Sequence, residues 1–173
     1  LASDGTGTAF PFALPDAPGE GDNQALAVND VDGSTVYDVA VALVWVRDGE
    51  VVGSRNEAYA LASCRACTTV AVAFQVVLVV GQTDAVAPVN AAVAANFDCV
   101  ECVTAALAVQ LVATLEREPT AEVQAQIEQV LAGLDGLEGS ADVYAQVAAV
   151  EQELLRILID NDLVEAPTVT SPS

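Results

Sequence analysis

Histidine, lysine and methionine do not occur anywhere in this chain of 173 residues. Without histidine there can be no Ser-His-Asp or Cys-His catalytic arrangement and no histidine-ligated metal. Five arginines stand against 25 acidic residues, a net charge of −20. Nucleic acid and anionic membrane surfaces are recognised by clustered basic residues, so neither is expected as a partner. Such acidity favours solubility, cations or a salty medium, with most carboxylates simply solvated. Long apolar runs are missing too. The longest, Val103 to Leu115, has 13 residues, short of the roughly 20 that a membrane-spanning helix needs. Glycine-rich phosphate cradles are absent. With Leu1 rather than Met at its start, the chain is expected to be processed, any signal peptide lying outside it.

Acidic pairs offer little chemistry. "NDVDGST" resembles a calcium loop locally, but Val28 and Val39 occupy positions where ligands are needed, so Asp30 and Asp32 read as a plain turn. Glu116 with Glu118 and Asp160 with Asp162 read as solvated charges. An enzyme is not expected, and no small-molecule substrate is suggested.

What is abundant is alanine and valine, arranged in a three-fold repeat. Asn23, Asn56 and Asn90, spaced by 33 and 34 residues, each open the same phrase: Asn-x-Ala-x-Ala, a turn, then an Ala/Val run. Alternation places Asn56, Ala58, Ala60 and Ala62 on one face of a strand. In the second arm Val70, Val72, Phe74, Val76 and Leu78 oppose Ala71, Ala73 and Gln75. Asp32-Gly33 is a strong hairpin signal. Each unit therefore reads as a β-hairpin, and Val103 to Leu115 as a strand by its place in the repeat. The expected fold is α+β, mainly β: antiparallel sheet from three hairpin-like repeats, then a C-terminal αα-hairpin. A sheet apolar on both faces must be covered on both.

The expected divisions are a Pro/Gly-rich arm (1–22), the three-repeat β-domain (23–115), a helical hairpin (116–163) and a tail (164–173). The arm carries an apolar patch, Phe10, Phe12 and Leu14, suited to docking on its own sheet or on a neighbouring subunit. Beyond Pro119 the period becomes helical. Val123, Ile127, Val130, Leu131 and Leu134 form one stripe, with Thr120 as N-cap. Val143, Val147, Val150, Leu154 and Ile157 form a second, with Ser140 as the expected cap. Such stripes ordinarily cover a sheet of their own chain.

Cys64/Cys67 and Cys99/Cys102 are two CxxC pairs at equivalent turns of the repeat. The first copy builds that turn from Asp and Gly, so a local disulfide staple fits every copy. The alternative is a four-cysteine zinc site, Cys64, Cys67, Cys99 and Cys102, which requires two turns to converge. A redox-active CxxC would want positive charge nearby, and Arg65 is the sole cation within either motif. No metal or other cofactor is expected on the staple reading; zinc is expected on the other.

"NEAYALASCRACTTVAVAFQVVLVVG" and "NAAVAANFDCVECVTAALAVQLV" together resemble a module in actinobacterial and related bacterial proteins labelled peptide zinc metalloproteases. The likeness spans residues 23–114. It implies a secreted or cell-surface β-module. The protease label does not transfer, because a HExxH helix requires histidine. The function expected is a non-enzymatic structural or assembly protein, extracellular or at the cell surface. It would form a homo-oligomer or filament through the Ala/Val sheet and the arm. The alternative is a monomeric accessory binding module stabilised by zinc.

Overall fold

A computed structural model of the chain describes residues 10–47, 51–81, 85–137, 139–140 and 142–165. Most of the expected tail, from 166 on, and the first nine residues of the arm lie outside these. The chain winds through β1 (Asn23–Asn29), β2 (Thr35–Val46) and a short β3 (Val51–Val52). It then passes through β4 (Arg55–Ala62), β5 (Thr68–Val80) and a short β6 (Ala85–Val86), and finally β7 (Val89–Asn96) and β8 (Val103–Leu115). Two helices follow, α1 (Ala121–Ala132) and α2 (Val143–Asp160).

The expected antiparallel hairpins are not what forms. Every pairing is parallel: β1-β4-β7 make one sheet, β2-β5-β8 a second, and β3-β6 a short third. Each repeat is one coil of a parallel β-solenoid, and its two long strands belong to different sheets. Strand alternation specifies which side chains share a face, but not which strand is the partner. The partner is instead the same strand one repeat later. Asn23 aligns with Asn56 and Asn56 with Asn90; Gln75 aligns with Gln110.

The turns stack as well. Gly33 N–H donates to Arg65 O at 2.8 Å, and Ala66 N–H to Val100 O at 2.8 Å. Asp32-Gly33 thus carries the chain from one sheet to the other rather than reversing it within a ladder. Gly33, Ala66 and Glu101 occupy the equivalent place in the three turns, and all have left-handed backbone (φ 71°, 51° and 58°). Glycine adopts this without strain, whereas Ala66 and Glu101 do so at a cost of about 1–2 kcal/mol each. The third turn contains one extra residue, since the register offset is 34 at Asn96 and 35 at Val103. Asp98, also left-handed (φ 49°), falls within that longer turn.

The layers follow from side-chain size. Ala25, Ala27, Ala58, Ala60, Ala71 and Ala73 are fully buried between the two large sheets, where little more than a methyl group fits. On the opposite face of the β2-β5-β8 sheet, Val72, Phe74, Val76 and Leu78 pack against Ile127, Leu131, Leu154 and Leu158 from the helices. Burying each such large side chain contributes about 1.5–3 kcal/mol relative to exposure. The two helical stripes therefore cover their own sheet, with Val123, Ile127 and Leu131 buried on α1 and Val143, Val147, Leu154 and Ile157 on α2.

Thr120 caps α1, its hydroxyl accepting Val123 N–H at 3.4 Å. The expected cap at Ser140 is corrected: Asp142 holds the N-cap position of α2. Ser140 lies two residues earlier, its hydroxyl accepting Asp142 N–H at 3.3 Å and the Gln146 amide at 3.0 Å.

Candidate functional site

Two side-chain ladders run through the solenoid interior. Asn23 Nδ2 donates to Asn56 Oδ1 at 2.8 Å, and Asn56 Nδ2 to Asn90 Oδ1 at 2.9 Å. The same amides reach across to carbonyls of the facing sheet: Asn56 Nδ2 to Ala73 O and Val109 O, Asn90 Nδ2 to Ala108 O. Gln110 Nε2 donates to Gln75 Oε1 at 2.6 Å, and Gln75 Nε2 to Gly21 O at 2.9 Å. Each amide thus has a partner, and at the buried Asn23, Asn56 and Gln75 an unpaired one would cost about 1–3 kcal/mol.

The two ends of the coil differ. β1 packs against β2 and β5, β4 against β5 and β8, and β7 chiefly against β8, so the sheets are staggered. Ala25 and Ala27 on β1 are consequently fully buried although β1 is an edge strand. Leu26 N–H donates to the Asp38 carboxylate at 2.6 Å, which places an inward-pointing charge on that edge. Inward charges of this kind block strand addition.

At the other end nothing equivalent is present among the described residues. Ala92 and Ala94 align with Ala58 and Ala60, both fully buried, yet they are exposed. Six of the ten exposed large hydrophobics among the described residues fall between Val89 and Val112, so apolar exposure concentrates on this third coil. Val103 is 60% exposed and Val100 53%. The chain leaves Leu115 for α1, and among the described residues no fourth coil covers the edge.

The stacked turns bring the four cysteines together. Cys64 is joined to Cys67 and Cys99 to Cys102. All four sulfurs lie within 4.8 Å of one another, with Cys67 Sγ 3.3 Å from Cys102 Sγ. Cys64 and Cys67 are buried; Cys99 and Cys102 are half-buried. In the first coil Val31 and Ser34 stand where the cysteines would be, and the Ser34 hydroxyl donates to Asn29 Oδ1 at 2.6 Å instead. The convergence of the two CxxC turns was not derivable while the repeats were read as hairpins. Equal spacing of the cysteines from Gln75 and Gln110 was the signal that could have found it.

From Phe10 on, the arm lies against its own chain. Phe10 is buried, Leu14 half-buried and Phe12 42% exposed. Phe12, Ala13 and Pro15 line one groove with Tyr59, Leu61 and Val93 on the outer face of the β1-β4-β7 sheet. On the same face Arg55 pairs with Glu57 at 2.7 Å. Desolvation, and then the Glu57 carboxylate, push the Tyr59 phenol above its usual range.

Three of the acidic residues singled out in the sequence have partners within the chain. Asp32 accepts Arg65 N–H at 2.8 Å, and Asp30 is exposed. Glu118 pairs with Arg47 and Asp160 with Arg156. No helix among the described residues is long and apolar enough to cross a membrane. No protein-family model matches this sequence, and no curated protein or solved structure proved similar to it. These comparisons neither support nor replace the resemblance noted for residues 23–114.

Proposed function

We propose that this chain is a non-enzymatic structural module of the cell exterior that associates with a second copy of itself through its open β7–β8 end. The carrying observation is the exposure of Ala92 and Ala94, whose register partners Ala58 and Ala60 are fully buried. A parallel ladder that stops without a cap leaves backbone N–H and C=O groups unpaired along both edge strands, and these are templates for further strands. A second copy meeting this end would pair those groups and remove Val103 and its neighbours from water.

The opposite end weighs against unlimited growth. A filament needs head meeting tail, and the Asp38 carboxylate would have to be buried at every junction. Contact between two like ends is closed by symmetry. The module is therefore read as a pairwise connector rather than a filament subunit. The lack of histidine and of lysine supports the absence of catalysis, and CxxC staples suit an oxidising compartment.

Like charge opposes the pairing, since each chain carries −20. At physiological ionic strength the screening length is about 8 Å, so added salt should strengthen association. Light scattering over a concentration series, at low and high salt, tests this. A dimer growing in with concentration and salt is expected. A monomer at the highest concentration in high salt would refute the proposal.

A further inference from the structure

The ladder of turn hydrogen bonds fixes where the four cysteines stand, independently of the bonds between their sulfurs. Ala66 N–H donates to Val100 O at 2.8 Å, Val103 N–H to Cys67 O at 2.8 Å, and Val100 N–H to Cys64 O at 3.3 Å. Arg65 and Val100 form a parallel bridge at the same level. With the two disulfides broken, these backbone bonds would still hold the two CxxC turns in register. Four thiol sulfurs would remain grouped within reach of one another, starting from a spread of 4.8 Å.

That arrangement suits one ion. Four thiolates about 2.3 Å from a tetrahedral zinc ion lie about 3.8 Å apart, within the spread observed. Two residues come from each of two adjacent turns, so the ligands approach from two sides rather than from a single strand. Cys64 and Cys67 are buried while Cys99 and Cys102 are half-buried, which leaves a path for an ion to enter. Soft thiolate ligands select zinc-like ions over calcium or magnesium.

We propose that Cys64, Cys67, Cys99 and Cys102 form a redox-gated site for one thiophilic divalent cation, the metal-bound tetrathiolate and the two disulfides being alternative closures of the same cluster. The exchange balances as follows. Two equivalents of a dithiol reductant deliver four electrons and four protons, converting two disulfides into four thiols and leaving two oxidised dithiol molecules. The cation then displaces the four thiol protons. In the reverse direction a two-electron oxidant acts on each CxxC pair, forming one S–S bond apiece and releasing the cation. This proposal does not depend on self-association, because the cluster lies within one chain.

The test uses the full chain, reduced with a dithiol, desalted without oxygen and titrated with Zn2+. One zinc per chain is expected, together with protection of four thiols from alkylation. Co2+ in its place is expected to give thiolate-to-metal charge-transfer absorption. The Cys99→Ser/Cys102→Ser variant, treated identically, is expected to bind more than about 100-fold more weakly, a larger loss than removing an outer-shell partner. Far-UV circular dichroism follows the fold throughout. Retained β-structure with uptake of one zinc supports the site, as does zinc-driven recovery of β-structure after reduction. A folded reduced chain that takes up no zinc overturns it. Equal binding by the variant, or lost β-structure that zinc fails to restore, does so too.

Discussion

The side-chain amide of Asn56 donates to Asn90 Oδ1 across 2.9 Å, although the two residues are 34 positions apart. This contact is possible because successive coils place equivalent residues side by side. It also distinguishes the middle coil from the last. Asn56 is fully buried and donates to Ala73 O and Val109 O as well, whereas Asn90 is exposed. Asn56→Ala should therefore lower stability by about 3 kcal/mol, and Asn90→Ala by no more than about 1 kcal/mol. Urea denaturation of the two variants measures the difference; equal costs would contradict an interior ladder.

The alanine layer makes a similar contrast within one register pair. Ala60 is fully buried against the facing sheet, while its partner Ala94 is exposed. Two extra methyl groups at the buried position must push the sheets apart or distort a rotamer, at about 1–3 kcal/mol. Ala60→Val should destabilise by that amount and Ala94→Val by less than about 0.5 kcal/mol. Thermal melts of dilute protein, where association is negligible, provide the comparison.

These contrasts also mark what the sequence made legible. The Asn-x-Ala-x-Ala phrases identified the strands, and alternation set Val70 to Leu78 on one face and Ala71 to Gln75 on the other; which face the helices cover came only with the structure. Pairing was misread because Asp32-Gly33 is a hairpin signal by composition, and nothing local reveals that Gly33 N–H is bonded to Arg65 O in the next coil. The better clue was the second arm itself. A strand such as Thr68–Val80, apolar on both faces, belongs to a doubly covered parallel sheet. Asp38, a single inward carboxylate in an apolar strand, could not have been assigned to an edge before the strand order was known.

Tyr59 gives the fold an alkaline dependence. Its phenol is raised by desolvation, then by Glu57, so the native state keeps a proton that the unfolded chain has lost above about pH 10. Stability is intact below that pH and falls as pH rises through the raised native value. Tyr59→Phe should flatten this part of the decline in urea midpoints between about pH 9 and 11. An unchanged slope would show that the phenol is not held in this environment.

A charge placed on the open end should act there as Asp38 does at the other. Ala92 faces inward but is exposed, so Ala92→Asp leaves the single chain folded. Burying that carboxylate between two copies without a partner costs about 3–5 kcal/mol, and association should weaken by more than about 100-fold. Sedimentation velocity of the variant beside the unaltered chain reports it. Undiminished association would move the contact to another surface.

Hydrogen–deuterium exchange measured at low and high protein concentration tests the open-ended coil most directly. Edge amides of β7 and β8 should become more slowly exchanging as concentration rises, while those of β1 and β2 keep one rate throughout. Slowing confined to the β1–β2 edge, or rates that ignore concentration at both ends, would contradict association through the third coil.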